Sequence, residues 1–174
     1  MTDAFLPDEY EIPKGPTSYT RFDPGDHKLR ILSAPLMGWV YWKDKKPIRS
    51  QMNARPEPAP KDLKHFWAVI VWNYQTMQVE IAEITQKAVQ STLKDLNKNP
   101  DWGAPYAYDI TIKRVGTTMN DTEYSLLPSP AKPLAQEIID GFKAKPIQLD
   151  LLLTGDDPFQ PKGTPTPMQE APAA

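Results

Sequence analysis

The 174-residue chain contains no cysteine. That excludes a disulfide framework, a thiolate nucleophile and a cysteine-ligated zinc ribbon together, and it suits a reducing cytoplasm. Histidine is nearly absent as well: His27 and His65 have no partner at ligand spacing, so neither a metal centre nor any other cofactor is expected. The eight glycines are scattered and build no phosphate-cradling loop, and no serine or threonine stands in a nucleophile motif. No apolar run approaches the ~18 residues that cross a bilayer. The opening stretch MTDAFLPDEYEIPKG is acidic and broken by proline, unlike a secretory signal. One soluble, cytoplasmic, non-enzymatic domain with extensions is the expectation.

Net charge is also small, −2, but the average conceals a segregation. Residues 1–26 carry six acids against Lys14 and Arg21, whereas residues 27–65 carry nine cations against Asp44, Glu57 and Asp62, a local balance of +6. A basic centre between acidic ends attracts a polyanion while the ends limit indiscriminate adhesion.

What the chain has in abundance is proline, 20 residues, and large rings, with five tryptophans and seven tyrosines. The prolines cluster at 7–24, in RPEPAPK (55–61), in PSPAKP (128–133) and in the tail, and they divide the chain. Residues 1–18 read as an extended arm, 19–134 as the folded domain, 135–154 as a C-terminal helical extension and 155–174 as a flexible proline-rich tail. Within the domain, HKLRILSA (27–34), MGWVYW (37–42), HFWAVIVWNY (65–74) and QVEIAEI (78–84) have strand patterns, with NYQTMQ as a turn. Val89, Leu93 and Leu96 then recur at helical spacing after Thr85, a candidate N-cap. A second hairpin follows, YAYDITIKRV (106–115) with TEYSLLP (122–128). Five to six strands with one main helix after the fourth predict a mainly β fold, an OB-fold Greek-key barrel. An SH3-like barrel is the nearest competitor and would lack the helix.

A barrel of that type offers a sheet face and its loops to single-stranded nucleic acid, with bases stacked on rings and cations along the phosphates. In GWVYWKDKKPIR (38–49) both kinds of residue stand together. Trp39, Tyr41, Trp42, Lys43, Lys45, Lys46, Arg49 and Arg55 are the leading candidates for a groove, joined by Trp67, Trp72, Tyr106 and Lys113 from other strands. Alternation sets Trp39 and Tyr41 on one side of their strand and Val40 and Trp42 on the other.

The succession RFDPGDHKLRILSAPLMGWVYW, KHFWAVIVWNYQTMQVEIAEITQKAVQSTLKDL and DWGAPYAYDITIKRVGTTMNDTEYSLLPSPAKPL resembles the single-stranded DNA-binding proteins of tailed bacteriophages and prophages over roughly residues 19–134. The resemblance implies an oligonucleotide-binding barrel that coats single-stranded DNA in replication and recombination inside the bacterial host. Some larger proteins of that family carry a zinc subdomain, for which this chain lacks the ligands. GDDPF (155–159) is similar to the acidic Pro-Phe tip of bacterial single-stranded DNA-binding proteins, which implies a partner hook for replication or recombination proteins made of Asp156, Asp157, Pro158 and Phe159. Fifteen residues follow it here.

Two other classes remain open at this point. A small metal-dependent nuclease would use Glu80, Glu83 and Asp109, and a protein-interaction module would bind partners through its proline-rich arms without touching nucleic acid. The GDD triplet alone does not make a polymerase site, which needs a third distant acid in a far larger fold.

Overall fold

The computed structural model describes Phe5 and residues 19–169; the N-terminal arm apart from Phe5, and residues 170–174, lie outside the described residues. Seven strands form one open antiparallel sheet: β1 (Gly25–Ile31), β2 (Leu36–Lys43), β3 (Lys46–Gln51), β4 (Lys64–Asn73), β5 (Gln78–Ile84), β6 (Asp109–Val115) and β7 (Glu123–Pro128). Helix α1 (Lys87–Lys98) lies between β5 and β6, and helix α2 (Gln136–Ala144) with a 3-10 turn (Leu149–Leu153) follows β7. The order across the sheet is β3-β2-β4-β1-β6-β7, with β5 on the other side of β4.

The long strand β4 organises this arrangement. One edge pairs with β5 from Trp67 to Asn73, while the other pairs first with β2 and then with β1. Between those two partners the chain stays alongside, because Leu32 N–H donates to Ile70 O and Ile70 N–H donates to the Ser33 hydroxyl. Strands β1 and β2 thus act as one curved strand interrupted at 32–35.

Alternation along β4 feeds two cores. Val69 and Val71 join Leu29, Ile31, Ala82, Ile84, Ile110, Ile112 and Leu126 under α1, whose buried stripe is Val89, Leu93 and Leu96. Phe66, Ala68, Ile70 and Trp72 face the other way, onto Ile138 of α2 and Ile147, Leu149 and Leu152. The helix expected from Val89, Leu93 and Leu96 is present; Gln86 rather than Thr85 takes the N-cap position, without a side-chain cap bond.

The structure differs from expectation in three ways. The sheet has seven strands, because Lys46–Gln51 forms an additional edge strand. It is open: β3 and β7 each pair with one strand, and β5 adds to β4 only an isolated bridge to Tyr19. The tail is docked on the fold over 155–169. Pro158 O accepts from Gln148 N–H, Thr166 N–H donates to Ile147 O and Gln169 N–H donates to Leu32 O, while Phe159 and Met168 pack on the second core. Lys162 and Gly163 also donate their backbone N–H groups to the Gln148 side chain, a set of long-range partners that composition alone does not reveal.

Among the described residues no helix is long and apolar enough to cross a membrane.

Candidate nucleic-acid interface

The segment that joins rings to cations is a β-hairpin. Strands β2 and β3 meet at a two-residue turn in which Asp44 and Lys45 both take positive φ, 52° and 64°. That geometry matches the right-handed twist of the flanking strands. Gly38 permits the close strand approach on the far side, since a Cβ there would lie 2.1 Å from Ser50 O. Pairing puts Trp39 opposite Ser50, Tyr41 opposite Ile48 and Lys43 opposite Lys46. Directly paired residues share a face, so Trp39, Tyr41, Lys43, Lys46 and Ile48 look out on the same side.

The neighbouring strand extends this face. Met37 pairs with Trp67 and Trp39 pairs with His65. His65 fixes the order of the rings: its Nδ1 donates to Gly38 O (2.8 Å), and its Nε2 accepts from the Trp67 indole N–H (3.1 Å). The Trp39 and His65 ring centres are 5.3 Å apart, and the Trp39 indole donates to Met52 O. The Arg55 guanidinium lies 5.2 Å from the centre of the Trp39 ring and is paired with Glu57. Beyond Trp67 the face continues into a cavity that Tyr106 also lines. Burial pushes the Tyr106 hydroxyl above its ordinary value. Trp39, Tyr41, Trp67 and Tyr106 are each partly exposed, so the rings present area without standing free in solvent.

The remaining candidates lie elsewhere. Trp42, 57 % exposed, and Arg49 project from the opposite face of the hairpin, where they line a second cavity of about 540 Å³ with Tyr19 and Lys64. Arg49 is ion-paired with Glu83 there. Lys45 sits in the turn itself. Lys113 pairs with Asp26 on β1 and Ser125 on β7, at the end of β1 remote from β2. Trp72 does not belong to a groove: it is 4 % exposed, because α2 covers it so closely that a Cβ on Gly141 would come within 3.0 Å of its ring.

The tail hook is also occupied. Pro158 is buried, and the Phe159 ring packs edge-to-face on Tyr19 at 5.6 Å with Lys145 Nζ 5.1 Å from its centre. Burial lowers the Lys145 ammonium from its ordinary value, against the opposing charge of Glu80. Asp156 accepts from the Thr154 hydroxyl and pairs with Lys162, which hold its carboxyl below the ordinary range, and Asp157 accepts the Phe159 N–H. Pro158 and Phe159 thus hold the segment against the extension and the second core, while the two acids are engaged within the segment itself.

The three acids named for a nuclease do not converge. Glu80 accepts from Thr20, Asn73 and Thr76, Glu83 faces Arg49, and Asp109 is enclosed by cations. Among the described residues no three His, Cys, Asp or Glu side chains are placed to share a metal ion. Asp109 and Arg30, both fully buried, meet at 3.5 Å. Lys132 reaches the same carboxylate at 2.8 Å and Tyr74 donates to it. Arg30 also donates to the carbonyls of Tyr106 and Lys132, tying the loop that carries Tyr106 to β1.

Sequence reasoning missed Met37, Ile48, His65, Lys94 and Asn97, all of which border the face or its cavity. Period two from Trp39 reaches Met37, but the others enter through strand pairing and through α1. Comparison of the chain with family models, with curated proteins and with solved structures finds no match.

Proposed function

We propose that the protein binds single-stranded DNA as a coating protein of replication and recombination, stacking bases on the β2–β4 rings while the hairpin lysines neutralise phosphates. The observation that carries this reading is the one-sided row Tyr41, Trp39 and Trp67, bordered by Lys43, Lys46 and Arg55. Side chains of one strand on one face recur every ~7 Å, so successive rings meet successive unstacked bases. Paired bases in a duplex offer no such faces.

Magnitudes favour an incoming base over the present contacts. A cation–π contact at an exposed site is worth about 0.5–1 kcal/mol. Stacking of a base on an aromatic side chain is worth about 1–3 kcal/mol. A base therefore displaces Arg55 from Trp39, and the guanidinium can exchange its exposed ion pair with Glu57 for a phosphate. The connectivity supports an opened form of the oligonucleotide-binding barrel: α1 separates the β4–β5 hairpin from the β6–β7 hairpin, and β6 returns to β1. The sequence resemblance to phage proteins points the same way.

Titration of the intrinsic tryptophan fluorescence with oligo-dT and with duplex of equal length tests the proposal. Oligo-dT quenches it and duplex does not; Trp39→Phe and Trp67→Phe each remove part of the quench. Equal quenching by both nucleic acids, or by neither, would overturn it.

A further inference from the structure

Past Trp67 the ring-bearing face dips into a cavity of about 290 Å³ between the sheet and α1. Its floor is Ile31, Val69, Ile84 and Leu93, all buried, so water there has few partners. Trp67 and Tyr106 both line it, the first continuing the row on β4 and the second held by the Arg30 bond to its carbonyl. The Ser33 hydroxyl is at the site but committed, donating to Ala34 O and accepting from Ile70 N–H. Lys94 and Asn97 are different. They stand one helical turn apart on α1, both exposed at the rim. An amide offers a donor and an acceptor side by side, and a lysine offers a cation to a phosphate.

The volume falls at the bottom of the roughly 300–1,000 Å³ range of small-molecule sites. One heteroaromatic ring system fits it. We infer that this cavity is a single-base pocket at the end of the stacking row, taking one unstacked nucleobase against Trp67 and Tyr106, with the base edge on the Asn97 amide and the phosphate on Lys94. This rests on the single-strand reading above. It adds a preference at one position to a surface that otherwise ignores sequence. A side-chain amide pairs bidentately with adenine, so adenine is the favoured occupant.

The indole N–H resonances of the ¹⁵N-labelled full chain separate the alternatives, because Trp39 and Trp67 report on the row and the pocket individually. Deoxyadenosine monophosphate is expected to shift Trp67 saturably and to leave Trp39 in place, whereas a short oligo-dT shifts both. Asn97→Ala, at an exposed helix position that leaves the fold intact, weakens the mononucleotide at least about five-fold and changes oligo-dT affinity by less than about two-fold. Deoxyribose 5-phosphate, which has no base, leaves Trp67 unmoved; the same shift from it would overturn the inference. So would a mononucleotide that moves neither indole, or both equally, while oligo-dT moves both; the stacking row would then stand without the pocket. An oligo-dT that moves neither indole removes the single-strand reading and the pocket with it.

Discussion

Lys43 and Lys46 face each other across the hairpin as a directly paired couple of like charge. Such a pair opposes strand association, by an amount within the roughly 0.2–1 kcal/mol scale of cross-strand pairs; solvent screening keeps it at the low end. Replacing both residues, Lys43→Gln with Lys46→Gln, removes the repulsion and keeps the length of both side chains. The urea midpoint of the double variant is therefore expected to match or slightly exceed that of the parent. Binding should change in the opposite sense. Each phosphate contact to a single strand contributes a slope of about −0.7 in log K against log salt, so two lost contacts flatten the slope by about 1.4. Between 50 and 200 mM salt the variant would lose about seven-fold less affinity than the parent. Fluorescence titration with oligo-dT across a salt series, beside a urea melt, reads both quantities. An unchanged slope would show that the lysines are only solvated. A flattened slope with a clear loss of stability would refute the argument that the pair is held against its own repulsion.

Three further outcomes follow from the placement of single groups. Trp72→Ala should cost about 3–5 kcal/mol of stability, as for a large buried ring, whereas Trp39→Ala should cost about 1–3 kcal/mol of DNA binding with the melt nearly unchanged; reversed effects would exchange core and surface. Truncation after Thr154 removes Pro158, Phe159 and Met168 from the second core together with three backbone hydrogen bonds, so the thermal midpoint should fall, and an unaltered midpoint would show the segment to be undocked. Burial raises the Asp109 carboxyl, but hydrogen bonds from Lys132 and Tyr74 and the charges of Lys132 and Arg30 outweigh it and leave it below its ordinary value. Its contribution is accordingly present above the ordinary carboxylate range and lost as pH falls through the lower, folded-state value. Asp109→Asn should destabilise by about 3–5 kcal/mol at neutral pH, because Arg30 stays buried without its counter-charge, and should flatten the acid limb of the urea midpoint against pH; parallel limbs would mean that Asp109 is not the acid-sensitive group.

Strand positions and α1 were legible because periodicity is local. Gln78–Ile84 coincides with the expected strand, and the helix stripe is Val89, Leu93 and Leu96 as spaced. Strand β3 was not, since KPIRSQ lacks alternation, contains Pro47 and follows an Asp-Lys turn instead of the Asn-Gly signal. The fate of Trp72 was hidden for a different reason. Alternation separates Phe66, Ala68, Ile70 and Trp72 from Trp67, Val69 and Val71, but which set receives a cover depends on α2, more than sixty residues further along. Arg49 illustrates the same limit: its partner Glu83 is 34 positions away, so its sequence neighbours made it look like one more free cation. Proline content made 155–174 read as flexible, yet within 155–169 Pro158 O accepts a hydrogen bond and the Thr166 and Gln169 N–H groups donate to Ile147 and Leu32.

The exposed rings follow from how much surface each covering element can reach. On one side α2, the 3-10 turn and the docked tail seal the Phe66–Trp72 face, with Phe159 closing against Tyr19. On the other side the cover is α1, whose twelve residues make a rod about 18 Å long. Strands β2 and β3 continue past the Ile31 end of β1, because β1 and β2 follow one another along the same edge of β4. Helix α1 packs over the end of β5 and against β7, so the hairpin at the far edge is left uncovered. A sequence selected for stability alone would place polar groups on that corner. Instead it holds Met37, Trp39, Tyr41 and Ile48, flanked by a repelling lysine pair. Apolar faces left partly exposed and cations kept in mutual repulsion both lower the stability of the free protein, and the proposed ligand, a flexible polyanion with unpaired aromatic bases, would recover both costs together.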